Sequence, residues 1–136
     1  MLANKFENFE VAGWGKTTGG RKAPGGYTEE TWNDDLNKLN LSFVQNENCK
    51  DQWTTRTKKL PTPSQLCATG EQFISNSCVG DSGGPLMAFN KESGKTEAIG
   101  ILSHGVKECN SEKPSIYTRV AKYLNWINEF ITDANK

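Results

Sequence analysis

Hydrophobic positions in this chain fall mostly in short runs, separated by turn residues, and helical spacing is scarce before the C-terminus. Phe9-Glu10-Val11-Ala12 ends at Gly13-Trp14-Gly15. Leu39-Asn40-Leu41-Ser42-Phe43-Val44 alternates, with two leucines and a phenylalanine on one face, the period-two signature of a half-buried strand. Ala98-Ile99-Gly100-Ile101-Leu102-Ser103 and Ser115-Ile116-Tyr117-Thr118-Arg119-Val120 read as two further strands. Short strands with turns between them predict an antiparallel barrel or sandwich. Residues 17–35, with Gly19-Gly20, Pro24 and Gly25-Gly26, read as an exposed loop. The charged stretch 46–58 allows a short helix. Only at the end does the period change: Val120, Leu124, Ile127 and Ile131 recur at three- and four-residue spacing, flanked by Tyr123, Trp126 and Phe130. That spacing predicts an amphipathic terminal helix packed on the barrel. No internal repeat and no linker divides residues 1–136, so a single unit is expected.

Composition narrows the function classes. With 35% hydrophobic and 24% charged residues and 13 glycines in 136, the chain is globular and loop-rich. Lysine plus arginine (16) equals aspartate plus glutamate (16), so no net field draws it to nucleic acid or an anionic membrane. No apolar run approaches the ~20 residues of a membrane helix. The charged N-terminal stretch lacks the form of a signal peptide, which taken literally implies the cytosol. The four cysteines, Cys49, Cys67, Cys78 and Cys109, point instead to an oxidising compartment. They form no C-x-x-C pair, and His104 is the only histidine, so no metal site is expected and no cofactor is implied. Four cysteines allow three pairings, which spacing alone does not separate. Asn40-Leu41-Ser42 has the form of a glycosylation sequon.

The chemistry concentrates in Cys78-Val79-Gly80-Asp81-Ser82-Gly83-Gly84-Pro85. Ser82 offers a hydroxyl nucleophile in a turn whose glycines reach backbone angles closed to other residues. With small neighbours, the Gly80 and Ser82 amides are able to point into one space and stabilise an oxyanion. Loss of one such donor typically slows acyl transfer ~100- to 1,000-fold. Asp81 beside them would be costly to bury without a cation. The plainer alternatives are a glycine turn with an incidental serine, or a phosphate-cradling loop. The second fails because the Lys-Ser/Thr step of a P-loop is missing.

Gly80-Asp81-Ser82-Gly83-Gly84-Pro85 resembles the nucleophile motif of the chymotrypsin-like serine proteases, and the likeness extends along the chain. Val11-Ala12-Gly13-Trp14-Gly15 resembles the strand opening the family's second barrel, and Ser103-His104-Gly105 its substrate-backbone strand. Pro114 to Val120, followed by Tyr123-Leu124 and Trp126-Ile127, resembles its last strand and C-terminal helix. The implied fold is the all-β second barrel of that family, six antiparallel strands with a C-terminal α-helix. The implied activity is peptide-bond hydrolysis through an acyl-enzyme at Ser82.

The resemblance also implies details that the residues alone leave open. Cys49 would pair with Cys67 and Cys78 with Cys109. Gly80 and Ser82 would form the oxyanion hole, and Asp81 would pair with an N-terminus freed by proteolytic activation. Asn76 would sit at the base of the specificity pocket, with Ser77, Ser103, His104, Gly105 and Ser115 also meeting substrate. Asn76 stands where trypsin-like members carry aspartate, and Ser115 where glycine is usual, so preference for lysine or arginine is not expected. The general base and its orienting aspartate come from the family's first barrel, which is absent here, and His104 replaces a tryptophan on the cleft wall. The chain alone is therefore expected to be inactive. Its expected partners are a polypeptide substrate, the missing N-terminal barrel and protein inhibitors, in a secreted setting. The alternative is a non-catalytic, protease-like module that binds proteins.

Overall fold

A computed structural model describes residues 6–15, 35–53, 61–70, 82–105 and 113–134, with residues 7 and 8 described in backbone only. Six strands make a closed antiparallel barrel: β1 (Phe6–Gly13), β2 (Asn37–Val44), β3 (Gln65–Gly70), β4 (Pro85–Asn90), β5 (Lys95–His104) and β6 (Ser115–Arg119). Around the barrel the order is β1-β2-β3-β6-β5-β4, and β4 closes onto β1. Helix α1 (Asn46–Trp53) follows β2. A 3-10 turn (Val120–Tyr123) leads from β6 into helix α2 (Leu124–Ala134).

Alternation in β2 becomes its two faces. Leu41 is buried, and Leu39 and Phe43 pack partly against the core, while Lys38, Asn40 and Ser42 face out. Inside the barrel, Phe6, Phe9, Leu66, Leu86, Ile99, Leu102 and Tyr117 join Leu41 in one cluster. A second cluster lies under α1, where Cys49, Trp53, Cys67 and Ile116 pack together. The expected disulfide between Cys49 and Cys67 is present and ties α1 to β3. Bridging residues 18 apart contributes about 3 kcal/mol in the chain-entropy account. The β4–β5 hairpin is fixed by Asn90, whose Oδ1 accepts from Glu92 N at 2.9 Å while Gly94, at φ 67°, donates to Asn90 O at 2.9 Å.

Two strands lie outside the sequence expectation. β3 is buried at nearly every position, so it shows no alternation, and β4 opens on a proline. The helix expected over 46–58 is described over Asn46–Trp53, and β6 gives way to the 3-10 turn at Val120. The terminal helix forms where its periodicity predicts, but it is not packed on the barrel as expected. No α2 side chain is buried, and Trp126 and Phe130 remain 59% and 60% exposed. Their rings meet each other instead, tilted at 58° with centroids 4.9 Å apart. The physical reason is connectivity: the 3-10 turn carries the chain off the end of β6, and Ile127 alone on the helix is half-buried. No helix among the described residues is long and apolar enough to cross a membrane.

Gly100 is packed too closely for a side chain. A Cβ there would lie 3.1 Å from Tyr117 Cβ and 3.3 Å from Leu86 Cβ, both on fully buried residues. Gly100→Ala is expected to lower the unfolding free energy by about 1–3 kcal/mol in urea titration, although alanine normally suits a strand better than glycine. Equal or greater stability would contradict the packing. The double variant Trp126→Ser/Phe130→Ser is expected to leave the melt nearly unchanged and to weaken binding of a hydrophobic dye. A large loss of stability would mean that the helix face is buried in the barrel.

Candidate active site

Ser82 and Gly83 form the turn that leads into β4, and Ser82 is exposed. Gly83 adopts φ 83°, a left-handed conformation that costs an L-residue about 1–2 kcal/mol. The turn is fastened to β5 from both sides of one residue. Gly83 N donates to Leu102 O at 2.9 Å, and Leu102 N donates to Gly84 O at 3.0 Å. Leu102 itself is buried in the core, so the backbone carrying the serine is held in register with the barrel interior.

Just beyond Leu102, β5 bulges against β6: Leu102 faces Tyr117 and His104 faces Ile116, leaving Ser103 as the extra residue. The bulge brings Ser103, His104 and Gly105 to the end of the barrel that also carries Ser82. Gly105 packs so closely on Ser115 that an added Cβ would meet Ser115 Oγ at 3.2 Å. Ser115 is 2% exposed. Ser82, Ser103, His104, Gly105 and Ser115 thus belong to one end of the fold. Asn76, Ser77, Cys78, Gly80, Asp81 and Cys109 lie outside the described residues.

His104 is half-buried, with Nδ1 3.2 Å from Ser103 Oγ. Its ring meets Trp53 edge-on, with centroids 6.0 Å apart and planes at 75°. Trp53 also donates from Nε1 to Pro114 O at 3.1 Å, and Lys113 Nζ lies 5.4 Å from its ring centroid. One buried tryptophan therefore braces both His104 and the backbone just before Ser115. Sequence reasoning missed Trp53, since a single aromatic in a charged segment carries no periodic signal. Its role comes from a hydrogen bond to Pro114, a distant residue just before β6. Among the described residues, no group of three or more His, Cys, Asp or Glu is arranged to hold a metal.

Comparison with known proteins bears on this arrangement. The Trypsin family model matches residues 6–127. The chain is 38% identical over 132 residues to Serine protease 7 of Drosophila melanogaster, covering 96% of the chain and 30% of that protein. It is 36% identical over 125 residues to Phenoloxidase-activating enzyme 1 of Spodoptera litura, covering 92% of the chain and 29% of that protein. With the Clotting factor G beta subunit of Tachypleus tridentatus it shares 32% identity over 123 residues, covering 88% of the chain and 37% of that protein. The chain spans about a third of the length of these relatives. A closed six-stranded barrel whose Ser82-Gly83-Gly84 turn is pinned to β5, matched by that model over nearly all its length, belongs to the Trypsin family.

Proposed function

We propose that this chain is the nucleophile-bearing barrel of a secreted serine endopeptidase that hydrolyses peptide bonds through an acyl-enzyme at Ser82. The observation that carries the reading is the exposed Ser82 on a turn locked to Leu102, with Gly83 left-handed. A nucleophile held this way loses little freedom on attack, and such positioning removes a substantial part of a bimolecular barrier.

In the proposed reaction Ser82 Oγ adds to the substrate carbonyl carbon and its proton passes to a base. The Gly80 and Ser82 amides stabilise the resulting oxyanion. The carbon–nitrogen bond then breaks, the amine leaving with that proton, and water hydrolyses the acyl-serine in a second cycle. His104 is not that base in this reading: its ring is turned against Trp53 and its Nδ1 is engaged with Ser103. The base and its orienting acid come from polypeptide outside this chain, folded as the first barrel of the domain. The relatives, about three times as long, leave room for it. Asp81 pairs with a cationic amine when the enzyme is activated, and a Cys78–Cys109 disulfide braces the turn.

Asn76 and Ser77 form a neutral pocket floor, and Ser115, packed on Gly105, narrows the pocket. Uncharged side chains fit there better than lysine or arginine, which would be buried without a counter-charge. Relatives named for phenoloxidase activation and for clotting make folded proteins the proposed substrate class, with protein inhibitors as regulators.

Fluorophosphonate labelling of the activated full-length protein is expected to modify Ser82 and to disappear in Ser82→Ala, while this chain alone stays unlabelled. An activated full-length protein that takes no label would favour the alternative, a protease-like binding module. Gly83→Ala is expected to cost about 1–2 kcal/mol of stability through its left-handed backbone and to slow labelling by shifting the Ser82 turn. An unchanged labelling rate would break the link between that conformation and the nucleophile.

A further inference from the structure

At the end of β6 remote from Ser115, the barrel wall holds a cavity of about 570 Å³. Phe43, Pro63 and Ala121 give it an apolar side, and Asn46, Arg119 and Lys122 a polar one. Its volume falls in the range of small-ligand and side-chain pockets, roughly 300–1,000 Å³. Among the described residues no acidic side chain lines it, although the chain as a whole is charge-balanced.

Arg119 is placed unusually for an arginine. Its backbone N donates to Ser64 O at 2.8 Å, and its Nη2 donates to Gln65 O at 3.1 Å. Its Nε is buried and bonded to nothing, and no carboxylate among the described residues pairs with it. Burial draws its guanidinium below the ordinary arginine value, as expected for a cation that has lost water without gaining an anion. Lys122, one turn further on, is exposed and has no ion-pair partner among the described residues. Two cations with no carboxylate partner among the described residues therefore share one cavity with an apolar wall.

We infer that this cavity docks an acidic peptide segment, its carboxylate held between Arg119 and Lys122 and a neighbouring apolar side chain seated on Phe43 and Pro63. Charge complementarity selects the carboxylate, because a partly buried guanidinium whose Nε has no hydrogen-bond partner among the described residues gains from an anion that accepts from it. The apolar wall selects a peptide over a sulfated polysaccharide, which needs a row of cations along its backbone and offers nothing to Phe43 or Pro63. Strand β6 separates Arg119 from Ser115 by about 13 Å, at ~3.3 Å per residue. The bound segment thus lies apart from the Ser82 turn, and its binding does not depend on Ser82 being catalytic.

The test is fluorescence anisotropy on the full chain with three labelled probes. These are an octapeptide alternating glutamate with leucine, the same peptide with glutamine for glutamate, and a sulfated hexasaccharide. The acidic peptide is expected to bind saturably, more weakly as salt rises, and the glutamine peptide not to bind. Lys122→Glu, on an exposed side chain, is expected to weaken acidic-peptide binding about tenfold, and Arg119→Gln to weaken it by at least as much. Lys122→Glu keeps the test valid even where loss of the Arg119–Gln65 bond unsettles the fold. Equal binding of the acidic and glutamine peptides, no effect of Lys122→Glu, or binding of the hexasaccharide alone would each overturn the proposal.

Discussion

The end of the barrel that carries Ser82 depends on the two backbone hydrogen bonds of Leu102. Its carbonyl accepts from Gly83 and its amide donates to Gly84, while its side chain sits in the barrel core. A buried leucine is costly to move, so the turn carrying Ser82 inherits the rigidity of the interior without being buried itself. The β5 bulge immediately afterwards takes this strand from the buried Leu102 to the exposed Ser103 and half-buried His104 within two residues. A single strand thereby holds the Ser82 turn at Leu102 and carries Ser103, His104 and Gly105 just beyond it.

The outer layer repeats this economy with different forces. Helix α1 has little apolar surface of its own, and it is attached at a few points: the Cys49–Cys67 disulfide, the Trp53 hydrogen bond to Pro114, and Asn46 Nδ2 donating to Thr62 O and Gln65 O, both at 3.1 Å. These attachments reach β3, the segment before it and the start of β6. The helix thus spans the space between the His104 wall at one end and the Arg119 cavity at the other.

What could be read in advance follows the range of the forces involved. β2 was legible because one of its faces is solvated, so its polarity alternates; β3 was not, because it is buried on both faces and alternation disappears. The turn after Ser82 was legible because its glycines mark a backbone closed to other residues, as Gly83 shows at φ 83°, and the Cys49–Cys67 bridge because of the family resemblance. Trp53 and Arg119 gave no local signal, since their roles arise from Pro114 and Gln65, far away in the chain. The α2 stripe announced a helix correctly, but periodicity says only that a face is apolar. It does not say what covers that face.

The closure of β4 onto β1 has a kinetic side. Every strand of the closed barrel pairs on both sides, and the β1–β4 pairing, with Phe9 opposite Ala88, joins segments more than half the chain apart. Such distant pairing makes folding slow, because the entropy of closing a long loop is lost before the new contacts compensate. During synthesis the β1–β2 ribbon emerges with its β1 edge open, a template for stray pairing until β4 arrives. Speed of maturation in this barrel is set by how soon its first strand meets its fourth.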